Sequence, residues 1–126
     1  MSVGKPRVLV VDDEQLVLHA LRRVLGFTHE VVTDLSPVNA LRRFDGGERW
    51  DFVVSDVMMP EMNGVEFAGH LLGKCAELAG RVVLITGGTL SPESESWAKQ
   101  RGIPVLYKPL DIGVLRGLLA PASSKK

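Results

Sequence analysis

Four apolar runs in this sequence end on groups that can do chemistry. VLVVDDEQ, from Val8 to Gln15, leads into the carboxylates of Asp12, Asp13 and Glu14, and DFVVS, from Asp51 to Ser55, is followed by Asp56. RVVLIT, starting at Arg81, ends on the hydroxyl of Thr86, and PVLY, starting at Pro104, is followed by the ammonium of Lys108 and by Pro109. If these run ends converge, the carboxylates of Asp12, Asp13 and Asp56 repel one another, and at least one pKa rises unless a cation neutralises them. The donors on offer are oxygens, with no His or Cys beside them, which favours Mg²⁺ over zinc; Mg²⁺ keeps several waters while taking one or two carboxylates. Together with an ammonium and a hydroxyl, such a site is equipped for phosphoryl transfer, in which catalysis is chiefly positioning and charge stabilisation. An aspartate can itself be the nucleophile and form an aspartyl-phosphate, and Asp56 is the best placed to do so.

Convergence depends on the elements that carry these ends. The valine-rich runs Arg7 to Val11, Glu30 to Val32, Asp51 to Ser55, Arg81 to Thr86 and Pro104 to Tyr107 are continuous rather than alternating, the signature of strands covered on both faces. Helical spacing separates them. Val17, Leu21, Val24 and Leu25 share one face before a stop at Gly26, and Ser36-Pro37 opens a second helix with Val38, Leu41 and Phe44 on one side. A third follows Gly64, softened at its end by Gly69 and Gly73; a fourth starts at Ser91-Pro92 with Glu93 and Glu95 in its first turn and Trp97 as its one large apolar residue. The fifth begins near Asp111 with Ile112, Leu115, Leu118 and Leu119. Five strands alternating with five helices predict right-handed crossovers and a doubly wound, five-stranded parallel α/β sheet, which collects ligands at the carboxyl ends of its strands. That rule brings the acids, the hydroxyl and the ammonium together.

In combination VVDDE, SDVMMPEMNG (Ser55 to Gly64), LITGG (Leu84 to Gly88) and YKP (Tyr107 to Pro109) resemble the receiver domain of two-component response regulators. Each piece alone is weak; four in order and at ordinary spacing are specific. The resemblance covers a receiver domain over residues 7–119, with an N-terminal extension 1–6 and a disordered tail 120–126, and implies a flavodoxin-like (βα)5 fold. It further implies that Asp56 accepts a phosphoryl group from a sensor histidine kinase or a histidine phosphotransfer protein. Asp13, Asp56 and the backbone carbonyl of Met58 would hold Mg²⁺, with Asp12 acting through water. Lys108 would pair with a phosphoryl oxygen as a point charge. Thr86 would bond another oxygen, Tyr107 would turn inward, and Lys108-Pro109 would be a cis peptide. A downstream protein target would meet the face made by the fourth helix, the fifth strand and the fifth helix. Gly87, Gly88 and Met58 offer nothing to orient an attacking water, so slow spontaneous hydrolysis of phospho-Asp56 is expected.

Composition bounds the alternatives. Basic and acidic residues balance at 15 each, which argues against direct nucleic-acid binding and against an anionic membrane surface. Without a paired cysteine, a signal-like start or a membrane-length apolar run, a cytoplasmic location is expected. A haloacid dehalogenase-like phosphatase also uses aspartyl-phosphate, Mg²⁺ and lysine, but Asp56 lacks the acid two residues on that such enzymes carry. A receiver that is never phosphorylated would have lost an acid or the lysine, and none is missing here. Whether the chain stands alone or belongs to a hybrid kinase or longer regulator is open. An isolated Asp12-Asp13 pair would read as a solvated turn with Asp13 capping the helix; Asp56 and Lys108 argue otherwise. Met58, its carbonyl apart, Met59 and Met62 are expected as loop packing, His19, His29 and His70 as structural or surface residues, and Cys75 as inert. Arg22-Arg23 and Arg42-Arg43 are expected as solvated faces, the first on the helix that such domains often present to a kinase.

Overall fold

The computed structural model describes residues 4–120. Strands β1 (Arg7–Val11), β2 (Glu30–Asp34), β3 (Phe52–Asp56), β4 (Val82–Thr86) and β5 (Val105–Tyr107) alternate with helices α1 (Gln15–Leu25), α2 (Pro37–Asp45), α3 (Gly64–Lys74), α4 (Pro92–Gln100) and α5 (Ile112–Leu118). All pairings are parallel, in the order β2-β1-β3-β4-β5. The expected doubly wound sheet is therefore present. The expected disordered tail lies, apart from Ala120, outside the described residues, as do residues 1–3 of the extension.

Side-chain alternation along each strand explains why the apolar runs are unbroken, since successive residues point to opposite faces and both faces are covered. Leu9, Val11, Val53 and Leu84 pack with Phe44, Phe67 and Leu71 on the face covered by α2, α3 and α4. Val8, Val10, Val54 and Ile85 pack with Leu18, Leu21, Leu25 and Leu115 beneath α1 and α5. On α1 the deepest residues are Leu18, Leu21 and Leu25, with Val17 and Val24 at the margin of the stripe read from the sequence. Each fully buried leucine contributes roughly 1.5–3 kcal/mol by leaving water.

The helix starts follow the capping chemistry. The Ser36 hydroxyl accepts from the N–H of Asn39, that of Ser91 from Ser94, and the Asp111 carboxylate from Val114. Asn63 and Glu66 form a reciprocal capping box at α3. β3 lies one residue later than read from the sequence, so that Asp56 ends the strand, β4 and β5 each start one residue later, and three further features differ. β2 runs two residues further, to Asp34; a 3-10 turn, Ala76–Gly80, fills the approach to β4; and Arg43, read as a solvated face, sits in an ion cluster with Asp34 (3.0 Å) and Glu48 (2.7 Å). The Arg43 guanidinium holds the Glu48 carboxyl down to about 2, with burial opposing. His29, which could have been a surface residue, is buried, and its Nε2 donates to the carbonyl oxygen of Leu119 at 2.9 Å.

Gly64 is where α3 meets the end of β3. Its N–H donates to the Val57 carbonyl at 2.9 Å, and a Cβ there would collide with the backbone of Asp56 and Val57. Only glycine permits this approach. Gly64→Ala is expected to cost about 1–3 kcal/mol of stability by overpacking, read as a lowered midpoint in urea unfolding.

Candidate functional site

The carboxyl ends of β1, β3, β4 and β5 bring together the groups that the sequence singled out. Asp12 follows β1, its N–H donating to the Asp34 carbonyl at 3.2 Å, and its Oδ1 accepting the N–H of Glu14 at 2.9 Å. That bond turns the chain from strand into α1. Glu14 occupies the N-cap position and no side chain caps this helix, so Asp13 is not a capping residue. Asp13 instead is exposed beside the pocket, while Asp12 is fully buried and Asp56 nearly so. One carboxylate oxygen from each of Asp12, Asp13 and Asp56 lies within 4.8 Å of the other two.

Lys108 reaches in from the end of β5, its Nζ 3.5 Å from Asp56 Oδ1 and 3.8 Å from Asp12 Oδ2. Its aliphatic stem runs past Gly87, where an added Cβ would come within 3.7 Å of Cδ. The Lys108-Pro109 peptide is cis. Burial pushes the Asp12 carboxyl up to about 6; the charges of Asp56 and Asp13 add to the rise, and the Glu14 N–H and Lys108 oppose it. Asp56 is likewise raised, first by burial and then by Asp13, against the pull of Lys108. A single ammonium does not balance this much buried acid.

Asp12 Oδ2 and Asp56 Oδ1 are buried without a hydrogen-bond partner. Buried carboxylate oxygens left in this state are costly. An oxygen-only donor set in which two buried oxygens accept no hydrogen bond and share one ammonium fits a small hard cation of the Mg²⁺ type. Asp13, Asp56 and the Met58 carbonyl are within the chain segments that could supply it. The Met58 side chain, expected to pack in the loop, is instead 63 % exposed, and the loop after Asp56 packs on the buried Met59.

Thr86, at the end of β4, is fully buried. Its hydroxyl accepts from the Gly88 N–H at 3.1 Å and lies 3.3 Å from the Gly88 carbonyl. Tyr107 points outward, 47 % exposed. The sequence reading missed Asp34: it is buried, holds Arg43 and Asn39 through Oδ2, and offers its backbone carbonyl to Asp12. Its signal was faint, a lone acid after the apolar stretch EVV and a threonine.

A five-stranded parallel sheet in the order found, with an acid cluster, a buried hydroxyl and a lysine at its carboxyl edge, defines a CheY-like member of the flavodoxin-like α/β folds. Residues 8–120 match the response regulator receiver domain, and the chain belongs to that family. It is 28% identical over 131 residues to a protein-glutamate methylesterase/protein-glutamine glutaminase of Bradyrhizobium diazoefficiens, covering 99% of this chain and 29% of that protein. Two-component response regulator ORR42 of Oryza sativa subsp. japonica is 28% identical, with 95% of this chain and 89% of that one covered. The chemotaxis protein CheY4 of Vibrio cholerae superposes with a TM-score of 0.78 at 28% identity, over 92% of this chain and 97% of that one. The matched stretch covers 29% of the length of the Bradyrhizobium methylesterase and 24% of a second one, of Anaeromyxobacter dehalogenans. No helix among the described residues is long and apolar enough to cross a membrane.

Proposed function

We propose that this receiver domain is a phosphoacceptor switch in which Asp56 takes a phosphoryl group from the phosphohistidine of a sensor kinase or phosphotransfer protein. The observation that carries it is the pair of buried oxygens, Asp12 Oδ2 and Asp56 Oδ1, that accept no hydrogen bond and share the single ammonium of Lys108 at 3.8 and 3.5 Å. Asp13, Asp56 and the Met58 carbonyl would hold Mg²⁺, with Asp12 acting through water. When bound, the ion neutralises the acids and the charge that develops on the transferred oxygens.

The chemistry of the chain's own residues follows. An oxygen of Asp56 attacks phosphorus in line as the nitrogen–phosphorus bond of the donor breaks, and the bonding pair leaves with the imidazole, which takes up a proton. Lys108 stabilises the equatorial oxygens from a position it already occupies. Thr86 exchanges its weak contacts with Gly88 for a shorter, charge-assisted hydrogen bond to the phosphoryl group. Movement of the Thr86 side chain opens space into which Tyr107 turns, altering the surface of α4, β5 and α5 that a downstream protein target reads. α4 is suited to respond: it buries only Ala98 fully and rests on a half-buried Trp97. Neither nucleic acid nor membrane is a direct partner in this reading, the domain works in the cytoplasm, and it turns over no external substrate. The absence of water-orienting side chains at Gly87, Gly88 and Met58 supports a phosphoryl group that outlasts seconds.

Trp97 reports the switch. Arg101 lies over its ring at 4.5 Å, whereas Trp50 is buried just before the start of β3 with its indole N–H on Glu48. With 5-fluorotryptophan at both positions, beryllofluoride and Mg²⁺ are expected to shift the Trp97 ¹⁹F resonance and leave that of Trp50 in place. Proven binding with an unchanged Trp97 resonance would refute movement at α4.

A further inference from the structure

The two walls of the acidic pocket are joined at the corner between β2 and α2. One wall is Asp12, whose N–H is held by the backbone carbonyl of Asp34 at 3.2 Å. The Asp34 carboxylate is itself fixed, Oδ1 accepting the N–H of Ser36 at 2.9 Å and Oδ2 accepting from Asn39 at 2.8 Å and Arg43 at 3.0 Å. The other wall is the loop that leaves Asp56 and returns at Gly64, closed at its base by the Gly64 N–H on the Val57 carbonyl. The Ser36 hydroxyl reaches this loop and donates to Glu61 Oε1 at 2.7 Å. The same oxygen accepts the Asn39 N–H at 3.0 Å, so it is oriented by the first turn of α2 before it meets Glu61.

From this continuity we infer that Ser36 and Glu61 are positioning residues for the metal and phosphoryl site, a clamp that fixes the Met58–Glu61 loop against the segment holding Asp12. The inference rests on the reading of the site given above. The Met58 carbonyl belongs to a backbone excursion whose base is held at Val57 and Gly64 and whose tip is held by the side chain of Glu61. A carbonyl ligand needs its direction fixed in advance, because Mg²⁺ demands near-ideal octahedral geometry. A hydroxyl already oriented by a helix start is suited to fixing it, since less freedom is lost when the bond forms. Partners beyond the ligands tune affinity in this manner at other metal sites.

The test compares Mg²⁺ dissociation constants by titration calorimetry, and beryllofluoride binding, for the full chain and five variants, four single ones and the Ser36→Ala/Glu61→Ala double. Glu61→Ala removes the acceptor and leaves the α2 cap intact; Ser36→Ala removes both; Glu61→Gln keeps an acceptor without the charge; Ser36→Thr keeps donor and cap. Glu61→Ala and Ser36→Ala are each expected to weaken Mg²⁺ by about three- to tenfold, below the usual range for groups bonded to a ligand because the clamp acts through the loop. The double variant should lose no more than either single one, and Glu61→Gln and Ser36→Thr should stay near the native value. Native affinity in both alanine variants would overturn the clamp while leaving the phosphoacceptor reading standing, and an equal loss in Glu61→Gln would assign the effect to charge and overturn it too. A native chain that takes no Mg²⁺ would overturn the reading beneath it, and the clamp with it.

Discussion

Asp12→Asn is expected to make the metal-free protein more stable at neutral pH, by up to about 3 kcal/mol, while removing much of its stabilisation by Mg²⁺. Asp12 is completely buried and its Oδ2 has no hydrogen-bond partner. Burial first, then Asp56 and Asp13, raise its carboxyl from 3.8 to about 6. The folded state therefore holds this proton more tightly than the unfolded chain. The associated stability is fully present below about pH 4, is lost as pH rises between about 4 and 6, and stays lost above. Asparagine fills the same space without the charge and flattens that loss. Urea unfolding in EDTA at about pH 4.5 and at neutral pH, native against variant, isolates the effect because all other groups are shared. With Mg²⁺ at ten times its dissociation constant the native protein gains about 1.4 kcal/mol by mass action, and the variant gains less. A variant that is clearly less stable than native at neutral pH without metal would show that the Asp12 charge is compensated in some other way.

Asp56→Asn is expected to abolish labelling by a small phosphoramidate and to remove the beryllofluoride response at Trp97. Asparagine keeps the volume of the side chain, but its amide is no nucleophile toward phosphorus at neutral pH. Asp12 and Asp13 remain in place, yet neither can substitute. Asp12 is turned inward with Oδ1 committed to the Glu14 N–H, and Asp13 lies exposed at the rim. The fold should survive, because relieving a raised carboxyl removes an electrostatic cost as it does at Asp12. Labelling that persists in Asp56→Asn would move the phosphoacceptor elsewhere.

Much of this architecture was legible because two separate signals agree. Unbroken apolar runs such as RVLVV and DFVVS mark strands covered on both faces, and the polar residue that ends each run stands at the edge where such sheets gather ligands. The helix starts at Ser36-Pro37 and Ser91-Pro92 could be read because a short oxygen-bearing side chain followed by proline before a helical stripe has few other uses. What escaped lacks such redundancy. β2 is an edge strand, so its last residues, Thr33 and Asp34, are polar, and the apolar run stops two residues early. The Asp34–Arg43–Glu48 cluster joins residues from β2, α2 and the loop beyond, and sequence spacing carries no signal for it. The turn Ala76–Gly80 is too short to show periodicity. The link between Ser36 and Glu61 spans 25 positions and reads, residue by residue, as a cap and a loop acid.

In the proposed switch the buried acids capture Mg²⁺ and Asp56 then becomes phosphorylated. Intact-mass spectrometry of the native chain incubated with a phosphoramidate, with and without Mg²⁺, followed by borohydride trapping and peptide mapping, tests it most directly. One phosphoryl group added only when the metal is present, and mapped to Asp56, is the predicted result. An unchanged mass under both conditions, or a label on any other residue, would contradict it.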